Sequence, residues 1–134
     1  RQNIGPKQAP VIPVLKASEI IAAREVIREI YLDEKIEKYI LDIVFATRDP
    51  KLYNLDDLQG MISFGASPRA SICLALAARS YAFIKHRGYV IPEDVRAVCY
   101  DVLRHRIGLS YEAEANNLTS EEIISRILNI VEVP

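Results

Sequence analysis

The stretch GASPRASICLALAARSYAFIKHRG, residues 65–88, decides how this chain is read. It opens with Gly65-Ala66-Ser67-Pro68-Arg69 and runs on through Ile72, Cys73, Leu74, Ala75, Leu76, Ala77, Ala78, Tyr81, Ala82, Phe83 and Ile84. Ser67 suits an N-cap, Pro68 the first helical position and Gly88 the stop, so one helix is expected from there to about Arg87. A helix that is apolar on nearly all sides is the buried centre of a bundle. One residue fits badly. Arg69 falls in the first turn, where the helix dipole attracts anions and disfavours cations.

Working outward, the flanking segments repeat the helical period. Ser18 can cap a first helix to about Ile30, with Ile20, Ala23, Ile27 and Ile30 on one face. Asp33 can cap a second to about Arg48, striped by Ile36, Ile40, Ile43, Val44 and Thr47, and Asp49-Pro50 ends it. Lys51 to Phe64 reads as a loop with a short helical turn. After the extended link Tyr89-Val90-Ile91, Pro92-Glu93-Asp94 opens a fourth helix with Val95, Val98, Cys99, Val102 and Leu103 inward. Ile107 to Asn117 reads as a loop with an extended piece around Leu109. Thr119 and Glu122 form a capping box for a fifth helix, with Ile123, Ile124, Ile127, Leu128 and Val131 as its apolar face. The expected fold is an all-α bundle of about five helices over residues 17–134. Residues 1–16, spaced by Pro6, Pro10 and Pro13, precede it as an extended linker.

A length of 134 residues suits one core, and a net charge of −1 argues against an autonomous nucleic-acid-binding domain. No apolar run is long enough to span a bilayer, and no signal peptide is visible. The start at Arg1 rather than Met leads to the expectation of a piece of a longer protein. Cys73 and Cys99 read as buried, reduced thiols, and His86 and His105 lack metal-ligand spacing, so no metal site is expected. There is no P-loop, no Gly-x-Gly-x-x-Gly and no nucleophile elbow. The acidic pairs Asp56-Asp57, Glu93-Asp94 and Glu121-Glu122 sit at helix starts, where they complement the dipole. The isolated chain is not expected to be an enzyme.

Arg69 leaves alternatives open. Ile72, Cys73 and Leu76 share its helix face, so its stem lies at the margin of an apolar surface. It can pair with Asp56 or Asp57, reach a phosphate bound elsewhere, or occupy the surface by chance. Arg79 reads as an ion-pair residue, Lys85-His86-Arg87 as a solvated helix end, and Arg104-His105-Arg106 as either a dipole-complementing end or an interface.

Several motifs occur in order: Phe45-Ala46-Thr47-Arg48, Gly65-Ala66-Ser67-Pro68-Arg69-Ala70, Tyr89-Val90-Ile91-Pro92-Glu93-Asp94-Val95, Val102-Leu103-Arg104-His105-Arg106 and Val131-Glu132-Val133-Pro134. Together they resemble the C-terminal helical lid of MoxR-type AAA+ ATPases, relatives of the magnesium-chelatase AAA+ subunits. The resemblance covers nearly the whole chain. It implies that residues 1–16 link to an AAA+ core that would precede Arg1. It also implies that Arg69 is the sensor 2 arginine, with Ser67 and Pro68 setting the helix start that aims it at nucleotide. ATP and Mg2+ would then be cofactors of the full-length protein, with none expected in the fragment. Walker A, Walker B, sensor 1 and the arginine finger are missing, and Ile91 stands where the family often has a hydroxyl cap.

Further implications are a cytoplasmic, chaperone-like machine acting as a hexameric ring, remodelling partners or assisting metal or cofactor insertion. Its partners would be its own core, neighbouring subunits and von Willebrand factor A domain proteins. Two other readings compete. One is a helix-turn-helix-like nucleic-acid module, since 11 of the 17 basic residues are arginines. The other is a protein-interaction domain with no link to ATP.

Overall fold

The computed structural model describes residues 9–134. The part of the expected linker at residues 1–8 lies outside the described residues. The all-α expectation holds. Six α-helices are present among the described residues: α1 (Ala17–Glu29), α2 (Glu34–Arg48), α3 (Arg69–Ile84), α4 (Pro92–Leu103), α5 (Tyr111–Ala115) and α6 (Ser120–Ile130). Two short 3₁₀ turns, Pro50–Tyr53 and Asp56–Leu58, follow α2. Strands β1 (Ile62–Phe64) and β2 (Gly108–Leu109) pair antiparallel, with Ile62 opposite Leu109 and Phe64 opposite Gly108. The extended piece expected around Leu109 is β2, while α5 replaces part of the expected loop. There Ser110 Oγ accepts from Ala113 N at 3.2 Å.

Local chemistry sets most boundaries. Asp33 Oδ1 accepts from Lys35 N at 2.8 Å to start α2. Thr119 and Glu122 make the reciprocal capping box, with bonds of 3.2 and 2.9 Å. Ser18 does not cap α1. The helix starts one residue earlier, and Glu19 Oε2 accepts from Lys16 N at 2.6 Å. At α4 no side chain of Ile91 caps the helix. Asp94 instead reaches back to Ile91 N at 2.9 Å, supplying half of the missing box.

The end of α3 differs from expectation. The helix stops at Ile84, and His86, not Gly88, takes the left-handed conformation, with φ of 59°. His86 N donates to Phe83 O, and Arg87 N donates to Ala82 O, both at 2.9 Å. That pair of bonds is a Schellman stop. Arg87, read as solvated, forms a two-pronged ion pair with Asp94, which is buried. The Asp94 carboxylate raises the affinity of the Arg87 guanidinium for its proton. This pair locks the link between α3 and α4, and Tyr31 bridges to the same link through Gly88 O and Val90 N, each at 2.9 Å.

Helices α3 and α4 pack as an antiparallel hairpin, with α2 against α3 and α6, and α1 against α3. The shared core runs through Ile40, Ile43, Leu58, Leu74, Val95, Cys99, Leu103, Ile123 and Ile127. The expectation that α3 is buried on nearly all sides is corrected. Only Ala70, Leu74, Ala78 and Ala82 are fully buried, one stripe spaced by four residues. The three alanines let neighbouring backbones approach closely. The opposite face stays open, with Ile72 63% and Leu76 47% exposed. On α1 no residue is fully buried. Ala23 and Ile27 are half-buried and Ile20 is half exposed, while Ile30 just beyond the helix is buried.

Candidate functional site

The first turn of α3 is held by a compact anchor before it. Thr47, near the end of α2, is buried; its hydroxyl donates to Val44 O at 2.6 Å and accepts from Ala66 N at 2.9 Å. Arg48 Nη1 donates to Ala66 O at 3.2 Å. Both backbone groups of Ala66 are thus satisfied by two consecutive α2 side chains. Gly65 lies flat against the Thr47–Arg48 peptide, where a Cβ would overlap the Thr47 carbonyl and crowd Arg48 N. Glycine is required there by close approach, not by its dihedral freedom. Just before it, β1 fastens the chain to β2, and Phe64 lies over Gly108.

From that anchor the chain turns at Ser67 and Pro68. Pro68 has helical dihedrals of −54° and −26°, and α3 starts formally at Arg69. Ser67 provides its carbonyl to Ala70 N at 2.8 Å, but no side-chain cap bond is formed. The expected hydroxyl cap is therefore corrected. The turn is closed by backbone and by Ser71, whose Oγ donates to Pro68 O at 2.6 Å. Ser67, Pro68 and Arg69 are all exposed.

Arg69 has no ion pair or hydrogen bond among the described residues, and no acidic residue lies in its helical turn. The expected alternative of a pair with Asp56 or Asp57 does not form among the described residues; Asp57 Oδ2 instead binds Arg126 at 2.7 Å and ties α6 to the loop. Arg79, expected in an ion pair either within the bundle or with a core, makes none within the described residues, and its Nε is buried without a partner there. Arg104 binds Asp101 and Glu121. The site is thus a cation, unpaired among the described residues, on a clamped backbone at the positive end of a helix, beside the open apolar face of Ile72 and Leu76. Leu41 of α2 lies beside Ile72, and Phe45 is exposed one turn further along α2. The Thr47–Arg48 clamp was missed as a site element in the sequence. Its signals there were the Phe45-Ala46-Thr47-Arg48 motif and the pair's position directly before Asp49-Pro50. Among the described residues no helix is long and apolar enough to cross a membrane, and no group of three or more His, Cys, Asp or Glu side chains gathers.

Comparison with known proteins bears on this end of the bundle. The AAA lid domain family matches residues 57–127, which include β1, the anchor glycine, α3 and α4. The chain is 39% identical over its whole length to 35% of the chaperone MoxR1 of Mycobacterium tuberculosis. It is 34% identical over 91% of its length to 35% of the YeaC protein of Bacillus subtilis. A crystal structure of a candidate ATPase from Cytophaga hutchinsonii superposes with a TM-score of 0.85 at 43% identity, covering 87% of this chain and 36% of that one. The chain spans about a third of the length of these relatives.

Proposed function

The chain belongs to the AAA lid domain family, as a lid of the MoxR type, and on that premise we propose that it closes over ATP held by a P-loop core in a longer protein. Arg69 is the sensor 2 arginine of this reading. It reaches the γ-phosphate, and Ser67 and Pro68 set the turn that aims it. The observation that carries the proposal is the state of Arg69: exposed, without an acidic partner among the described residues, and mounted on a backbone clamped at Gly65 and Ala66.

The residues suit the group. A guanidinium presents a planar fork of donors and stays charged at any working pH, which matches phosphate oxygens. Bound Mg·ATP would supply the phosphoanhydride and its charge, with the metal held by the core. Arg69 would hold a positive charge where negative charge accumulates on hydrolysis, a role that depends on placement and not on proton transfer. Ile72, Leu76, Leu41 and Phe45 would pack against the core as the lid closes and keep water from the phosphate end. The Thr47–Arg48 clamp would then carry motion from the start of α3 into α2.

The parent machine of this reading is a cytoplasmic, ring-forming ATPase, hexameric by family analogy. It would use hydrolysis for chaperone-like remodelling or for metal or cofactor insertion, with von Willebrand factor A domain proteins among its partners. Calorimetry tests the half-site claim. Titrating Mg·ATP into the isolated lid is expected to give no specific heat, while the full-length protein saturates. Micromolar binding by the lid alone would overturn the reading.

A further inference from the structure

Among the described residues four arginines hold carboxylates: Arg28, Arg87, Arg104 and Arg126. Arg106 does not. Its Nη2 donates to the Sγ of Cys73 at 3.6 Å, and its Nε is buried with no hydrogen-bond partner. A thiol is a weak acceptor, and a buried donor left unpaired calls for an explanation. The C-terminal dipole of α4 accounts for a cation near residue 104, but Arg104 fills that place with Asp101 and Glu121. Arg106 turns the other way, onto α3.

Two contacts and the course of the hairpin bring Arg106 to the end of the bundle that carries Arg69. Cys73 lies one turn after Arg69 on the same face of α3, and helical side chains lean toward the N-terminus, so Sγ leans toward Arg69. The hairpin is antiparallel, so the end of α4 lies beside the start of α3. The ladder between Phe64 and Gly108 then joins the residue before Gly65 to a residue just after Arg106. Arg48, on Ala66 O, adds a third guanidinium at this end. Positive groups gathered at the positive end of a helix repel one another unless an anion joins them.

We propose that Arg106 is a second phosphate-facing residue that acts with Arg69 on the same nucleotide, at its γ-phosphate end. Cys73 positions its guanidinium one turn behind Arg69. The inference rests on the lid reading above. It assigns to the Arg104-His105-Arg106 segment a role that is neither dipole complementation nor subunit contact.

The test uses the full-length ATPase and measures binding of ATP and ADP, turnover and thermal midpoint for Arg106→Ala, Arg106→Lys, Arg69→Ala and the double Ala variant. One charged hydrogen bond to phosphate predicts roughly tenfold weaker ATP binding for Arg106→Ala, with a smaller loss for ADP. Arg106→Lys is expected to recover part of the loss. The double variant is expected to lose less than the product of the single losses, because both residues serve one anion. Equal losses for ATP and ADP, or a lowered thermal midpoint with unchanged ATP affinity, would overturn the inference and leave Arg106 a structural residue. Impaired Arg69→Ala beside a silent Arg106→Ala would overturn this inference alone. If Arg69→Ala binds and turns over ATP normally, the sensor 2 reading fails and this inference falls with it.

Discussion

The two cysteines of this chain differ in surroundings, and that difference has a direct readout. Cys99 is fully buried between α4 and its neighbours, and burial pushes its thiol up to about 12 against an opposing pull from Arg96. Cys73 is half-buried beside Arg106. In the native protein at pH 8, a thiol reagent such as Ellman's is expected to modify Cys73 and spare Cys99, with both reacting in denaturant. Rapid modification of both in the folded state would contradict the packing around α4. The same burial has a pH consequence. The folded pKa of Cys99 lies above the unfolded value, so its contribution to stability is fully present below the unfolded pKa. It is lost as pH rises from the ordinary thiol range toward about 12. At residue resolution the sequence was least informative about partners. Arg87 looked solvated, yet it holds buried Asp94. Nothing in a linear pattern shows which of several arginines a fold will pair. His86 likewise takes the left-handed position that Gly88 seemed suited to, because the Schellman bonds close two residues earlier.

At the level of elements, the start of α3 depends on residues of α2 that are distant in sequence. The clamp makes two predictions. Gly65→Ala places a methyl group on the Thr47 carbonyl and should destabilise the protein by about 1–3 kcal/mol, as overpacking does. Thr47→Val keeps the shape but leaves Ala66 N–H without its acceptor, at a cost of about 1–3 kcal/mol. Chemical denaturation of both variants checks this, and wild-type midpoints in both would show that the anchor is not a constraint. Helix positions were legible because capping residues and a 3.6-residue apolar period are local signals: Asp33 and Thr119 both cap as their sequence context implies. The β1–β2 pair and the clamp were not legible, since each joins segments about 20 to 45 residues apart in the chain. The burial of α3 was overestimated for a related reason. Its alanines supply close packing on one stripe, and the larger Ile72 and Leu76 face outward. Composition counts apolar residues but not the side they occupy.

For the whole molecule, the bundle gathers at one end what its open surface lacks elsewhere. Arg48, Arg69 and Arg106 meet the end of α2, the start of α3 and the exit from α4, and the open apolar face of α2 and α3 lies beside them. The other end is closed on itself by the Arg87–Asp94 pair and the Tyr31 bridge. A lid that swings on a core would need this asymmetry, with one rigid end and one surface awaiting a partner. The most direct measurement of the central claim is steady-state ATP turnover by the full-length protein carrying Arg69→Ala, with its fold checked by circular dichroism. Turnover is expected to fall by roughly 10²-fold or more, with the helical spectrum and thermal midpoint unchanged. Wild-type turnover in a folded Arg69→Ala protein would contradict it and return Arg69 to an unpaired surface cation.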